Sequence, residues 1–165
     1  MNEETQAQAR KQIKGYFRQL NTLFGVFLAS ILLFLLSVLI VVYYQGALES
    51  KYATFLLIAA PVSGAALLIM GYRLFLGRLQ GARTAEKLYE KMESYRSAMV
   101  LRMILLDGAA FIQLVAYVMT GNKLFIALAV ALASIFMLYK PGLEKFIKDL
   151  DLSEMEARVM RDHRN

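Results

Sequence analysis

Few residues in this chain have both the type and the setting to do chemistry, and Asp107 is the most conspicuous. It stands in the middle of an apolar run, with Ile104-Leu105-Leu106 before it and Gly108-Ala109-Ala110 after it. A charge at the centre of a bilayer-length helix costs about 2.5–3.5 kcal/mol on insertion scales, so such a residue ordinarily faces protein or water. One reading is a proton- or cation-handling carboxylate. The other is a protonated or hydrogen-bonded acid that fixes helix register, satisfied by Ser30, Ser63 or Ser134 at similar depth or by a carbonyl freed by Pro61. Proton pathways generally need a relay of groups, and no second acid accompanies Asp107 in the apolar runs, which favours the register role.

Arg102 is the second candidate. At 100° per residue, Tyr95, Arg102, Ala109, Gln113 and Thr120 fall within about 20° of one helix line. Asp107 lies five residues on and roughly 140° round the helix, which disfavours a salt bridge within the helix. Arg102 is expected to snorkel from the span end towards headgroups, or to meet a neighbouring helix or a lipid phosphate. Gln113 and Ser63 are the two further polar candidates within apolar runs. Ser63 follows Pro61, whose missing N–H kinks a helix and frees a carbonyl that Ser63 and neighbouring helices can satisfy.

No other chemistry is signalled. The chain has no cysteine, so it has no disulfide framework, no thiolate metal site and no cysteine nucleophile. It shows no phosphate-binding glycine loop, no paired histidine spacing and no nucleophilic serine motif. His163 alone represents its type and sits in the tail. No enzyme activity, cofactor or metal is expected.

The elements that must position these residues are apolar helices. Of the 165 residues 58% are hydrophobic, above the roughly 45–50% of soluble domains. A bilayer core of about 30 Å takes about 20 apolar helical residues, and several runs qualify. The expected fold is all-α: a polytopic membrane protein with four transmembrane helices, a cytoplasmic helical segment and a helical C-terminal tail. Residues 1–19 form an amphipathic N-terminal segment, with Ile13, Tyr16, Phe17 and Leu20 on one face. It either lies at headgroup level or extends the first span. Residues 20–72 form transmembrane hairpin 1, and 73–97 a charged helix running into the third span. Residues 98–139 form hairpin 2 and 140–165 the tail. The run from Leu23 to Tyr44 exceeds the roughly 7–15 residues of a signal-peptide core and reads as a retained span.

Charge sets the orientation. Seventeen of the 19 Lys and Arg residues fall in the N-terminal segment, the central segment with Arg102, and the tail; only Lys51 and Lys123 fall elsewhere. The positive-inside rule places both termini in the cytoplasm. That explanation of the net charge of +6 removes the case for a nucleic-acid partner. Eight of nine tyrosines, all but Tyr89, lie near span ends, where amphipathic rings suit headgroup depth.

Local signals fill in the connections. Arg83–Glu86, Lys87–Glu90 and Glu93–Arg96 are spaced as ion pairs on a helix. Ser153 and Glu156 match a capping box. Ala60-x-x-x-Gly64, Ala127-x-x-x-Ala131 and Ala129-x-x-x-Ala133 would let helices approach closely, within one bundle or between subunits; Gly77-x-x-x-Gly81 lies outside the apolar core. Tyr16 and Tyr95 open spans while Gly46 and Gly121 mark the outer turns, which permits a parallel repeat of the two hairpins.

From about 95 to 155 the chain resembles a family of small four-pass bacterial inner-membrane proteins usually described as uncharacterised. The resemblance rests on Tyr95-Arg96, Arg102, Asp107-Gly108, Thr120-Gly121-Asn122, Pro141 and Asp149-Leu150-Asp151-Leu152. Members commonly carry Glu where this chain has Asp107. The resemblance implies a location in the inner membrane and no particular activity. The expected partners are the lipid bilayer and either a second copy or another membrane protein. The function expected is a non-enzymatic scaffold, assembly or regulatory subunit. The alternative is a small proton- or ion-coupled transporter or channel subunit using Asp107.

Overall fold

The computed structural model describes residues 3–48, 51–85 and 88–162. They form six helices: α1 (Glu3–Gln45), α2 (Ala53–Arg83), α3 (Leu88–Thr120), α4 (Lys123–Leu138), α5 (Leu143–Leu150) and α6 (Glu154–Asp162). Among the described residues α1, α2 and α3 are each long and apolar enough to cross a membrane. The 16 residues of α4 span only about 24 Å, and α5 is bent 82° away from it.

Helix ends follow local chemistry. The turns after α1 and α3 carry Gly46 at φ +78° and Gly121 at φ +65°, conformations that suit glycine. Asn122 caps α4, accepting from the Leu124 N–H at 3.0 Å. Leu48 N–H donates to the Val118 carbonyl at 3.0 Å, so the two turns meet at one end. The expected capping box is formed: Ser153 N–H donates to Glu156 Oε2 at 3.0 Å, and Glu156 N–H to Ser153 Oγ at 3.3 Å.

The N-terminal segment is a continuous extension of the first span, since α1 is unbroken over 43 residues. The charged stretch 73–97 is divided between helices: α2 continues to Arg83 and α3 begins at Leu88. Arg83–Glu86 and Lys87–Glu90 each involve a residue outside the described ones. Glu93 and Arg96 do approach, at 3.8 Å.

α3 is the central helix. It packs against α2 most extensively and also against α4 and α1, whereas α1 and α2 barely touch. The first two spans are therefore consecutive in sequence but lie on different sides of α3, unlike the packed pair α3–α4. Half of the most apolar window of α3 is buried, against 11% for α1 and α2. Leu32, Leu33 and Leu36 of α1 and Phe55, Ile58 and Val62 of α2 are exposed. A soluble monomer rarely shows apolar surface on that scale; lipid covers it without cost.

At the other end from the glycine turns lies a second convergence. Phe146 of α5 meets the rings of Tyr16, Phe17 and Tyr95 edge-on, at 6.1, 5.7 and 4.9 Å. Lys91 of α3 pairs with Glu156 of α6 at 2.8 Å. The start of α1, the end of α2, the start of α3 and the two short helices all gather here, so this is the basic end of the bundle.

Candidate functional site

Four polar side chains within apolar runs were singled out from sequence: Asp107, Arg102, Gln113 and Ser63. The fold divides them among three places.

Arg102 and Gln113 point into the α2–α3 contact, on the helix line they share with Tyr95 and Ala109. Exposure along that line is 0% for Tyr95, 8% for Arg102, 0% for Ala109 and 1% for Gln113, so it is the buried face of α3. Gln113 Nε2 donates to the Ala60 carbonyl at 2.7 Å, and Ser63 Oγ donates to the same oxygen at 3.0 Å. This differs from the expected arrangement. Pro61 withholds the N–H that would reach Leu57, four residues back, yet both donors go to the carbonyl directly preceding the proline. Ser63 is at the three-residue spacing from which a hydroxyl folds back onto its own helix. Gln113 reaches the carbonyl because Gly64 leaves the way open: a Cβ on Gly64 would stand 2.5 Å from Gln113 Nε2. Gln113 Oε1 is buried with no hydrogen-bond partner among the described residues. The Ala60-x-x-x-Gly64 spacing thus serves a polar clasp as well as close packing.

Arg102 does not snorkel. Its guanidinium carbon lies 3.2 Å from the centroid of the Tyr139 ring and 4.7 Å from that of Phe75. Two aromatic faces stabilise a desolvated cation, by about 2 kcal/mol or more for a favourable pair, so the side chain turns inward. Among the described residues no carboxylate lies within ion-pair distance of it, although Asp149 is near enough to act on it electrostatically. Nearby, Tyr95 Oη donates to Asp149 Oδ2 at 3.2 Å, and Arg83 Nε donates to the Asp149 carbonyl at 2.9 Å. Phe75, Tyr139 and Asp149 were missed as a group. The signals were present singly: Tyr139 as an interfacial tyrosine, Asp149 in the motif after Pro141.

Several tyrosines share this inward habit. Tyr43, Tyr44, Tyr52 and Tyr72 are exposed, at 52–83%, as headgroup anchors should be. Tyr95 and Tyr117 are buried, while Tyr16 donates to the Met92 carbonyl at 2.7 Å.

Asp107 lies apart from both clusters. It is partly exposed, at the margin of a stripe formed by Ile104, Phe111 and Val115, which are 48%, 48% and 38% exposed. Phe111 of that stripe stacks on Phe34 of α1 at 4.1 Å. No hydrogen bond or ion pair within the described residues reaches the Asp107 carboxyl. Ser63 is engaged with Ala60, and Ser134 Oγ donates to the Val130 carbonyl of its own helix at 2.9 Å. Two of the three expected serine partners are therefore occupied elsewhere, because a short hydroxyl in a helix finds its own backbone first. Among the described residues no group of three metal-ligating side chains occurs.

Comparison with known protein families, with curated proteins and with solved structures finds no match for the chain.

Proposed function

We propose that the chain is a four-pass protein of the bacterial inner membrane, with both termini in the cytoplasm, that acts without catalysis as a scaffold, assembly or regulatory subunit. The fourth pass is α4. Its length is short, but it runs from the glycine turns back to the basic end, where Tyr139 covers Arg102. Flanking residues and local thinning of the bilayer accommodate a short span at modest cost. With four passes, 17 of 19 basic residues share one side, as the positive-inside rule asks. Membership of the family that residues 95–155 resemble is part of the same proposal.

The observation that carries the subunit reading is the lone carboxyl of Asp107. It sits on an outward margin of α3, at bilayer depth, with no hydrogen-bond or ion-pair partner among the described residues. Such a group is costly in lipid, and a donor or cation on another helix, from a second copy or a different protein, would offset that cost. Transport through Asp107 has less support. The polar clasp at Gln113 is about 120° away round α3, and α2 runs through Pro61 as one helix rather than two half-helices, unlike the interrupted helices common at transporter sites.

Site-directed photocrosslinking in native membranes tests this. A probe at Ile104 or Val115 should give a discrete protein adduct that Asp107→Leu weakens several-fold, while a probe at Leu33 should not. Recovery of monomer alone from every position would sink the subunit reading. A reporter joined after Asn165 that is active only in the periplasm would sink the topology.

A further inference from the structure

From the surroundings of Arg102 we infer a binding site for the phosphate group of an anionic lipid at the basic end of α2 and α3. This rests on the membrane reading above but not on the partner role of Asp107.

Two clefts meet at Arg102, and basic side chains are concentrated in one of them. One, of about 380 Å³, is walled by Leu68, Ile69 and Leu106 below Arg102 and Tyr139, with Arg73 at its rim. The other, of about 360 Å³, is bordered by Arg83, Lys145 and Lys148, with Asp149 as its one acid. Tyr72, Leu76, Arg102 and Tyr139 line both. The apolar cleft leads along the spans, and the basic one opens at their end. An acyl chain suits the first and a headgroup the second, with the guanidinium at the junction.

The donors at the junction decide what kind of headgroup fits. Aromatic rings cover the faces of the Arg102 plane and the Tyr139 hydroxyl accepts from it, but a guanidinium has five N–H donors, so the plane keeps others for a ligand. Phosphate oxygens take such bonds in pairs. Lys145 is engaged with the Leu138 carbonyl, and Arg83 with the Asp149 backbone. Arg73 and Lys148 make no hydrogen bond or ion pair within the described residues, while Arg102 hydrogen-bonds the side chain of Tyr139. The Asp149 carboxyl is held by Tyr95, so its charge is partly spent inside the bundle. Tyr72, at 52% exposure, marks headgroup depth. Basic pockets between spans at this level are suited to anionic lipid. A soluble phosphate ester would use the basic half alone and leave the apolar half without a purpose.

The full chain, delipidated in mild detergent, can be titrated with phosphatidylglycerol or phosphatidylcholine of the same acyl length and read by native mass spectrometry, with inorganic phosphate as competitor. One phosphatidylglycerol should be retained per chain, about tenfold in preference to phosphatidylcholine, the size of effect from one or two charge-assisted hydrogen bonds. Arg102→Gln should remove most of that preference, and Arg18→Gln, an exposed cation of α1, should not. If Arg102→Gln fails to fold, the exposed pair Arg73→Gln with Lys148→Gln should still reduce it several-fold. Equal retention of the two lipids, or equal losses from Arg18→Gln and the cleft variants, would overturn the site. Displacement by millimolar inorganic phosphate would assign it to a soluble ligand instead and overturn the lipid. A chain that enters phosphatidylcholine discs without lipid preference refutes only this inference; one that enters no disc refutes the membrane reading itself.

Discussion

Arg102 and Asp107 are ionisable residues on one helix, five positions apart, in an apolar run, and the fold treats them in opposite ways. The arginine is drawn into the α2–α3 contact and covered by two rings; the aspartate is left on an outward margin without a partner among the described residues. Rotation explains the division. Roughly 140° separates the two side chains, enough to put one on the line facing α2 and the other beside the part-exposed stripe of Ile104, Phe111 and Val115. The chemistry of each matches its side. A guanidinium is weakly hydrated and stacks on aromatic faces, so a dry aromatic slot suits it. A carboxylate has no such recourse and, unless protonated, needs a donor, which no described residue of the chain supplies.

The largest effect should come from breaking the enclosed side. Arg102→Ala removes the cation between Phe75 and Tyr139 together with a buried aliphatic stem, and should cost about 2–4 kcal/mol of unfolding free energy in detergent. Asp107→Leu, by contrast, should leave the isolated chain as stable or more stable, because a lone acid in an apolar setting is replaced by a side chain that suits it. Equal losses from the two, measured by denaturant or thermal unfolding of the purified protein, would show that Asp107 has a structural partner and that the contrast is false.

A smaller effect sharpens the same comparison at the level of glycine. Gly64→Ala places a methyl 2.5 Å from Gln113 Nε2. The amide must withdraw from the Ala60 carbonyl, at about 1–3 kcal/mol for a buried polar group left unpaired. Gly77→Ala meets nothing within 4 Å and should stabilise by up to about 1 kcal/mol through helix propensity. The two substitutions are chemically identical, so a difference in sign isolates the clasp. Adding Gln113→Ala to Gly64→Ala should recover part of the loss, and no recovery would mean that backbone approach alone requires the glycine.

How much of this was open to sequence reasoning depends on whether water or lipid supplied the contrast. Apolar runs long enough for α1, α2 and α3, the glycines at the turns and the Ser153–Glu156 cap were legible, since each compares a residue with its immediate neighbours. The line through Tyr95, Arg102, Ala109 and Gln113 was legible too, because polar residues mark a face. Which sides of α3 receive α1 and α2 was not. In lipid the packed face and the outer face are both apolar, so hydrophobic periodicity carries little information and small residues must stand in for it. Arg102 and Tyr95 were misplaced for a related reason: an amphipathic side chain near a span end can reach headgroups or turn inward. Only the presence of Phe75, Tyr139 and Asp149 from other helices decides between those directions.

The smallest effect concerns the tail, where ordinary aqueous electrostatics return. Lys91 Nζ is 2.8 Å from Glu156 Oε1, and this bond chiefly holds the Glu156 pKa below its ordinary value, with the Ser153 backbone and hydroxyl adding to it. A carboxyl depressed in the folded state contributes stability that is complete above the unfolded glutamate range and is lost as pH falls through the folded value. For a partly exposed pair at the aqueous end of the bundle that contribution is about 1 kcal/mol or less. It should show as weakened amide-exchange protection of α6 as pH drops below the glutamate range, with the spans unaffected. Arg161 and Glu144 also tie α6 to α5, at 2.8 Å, so the measurement is cleanest in a Glu144→Gln background. There, Glu156→Gln should lower protection at neutral pH and flatten its pH dependence. If the wild-type pH profile survives that substitution, another acid holds the tail, and Lys91 has a partner in name only.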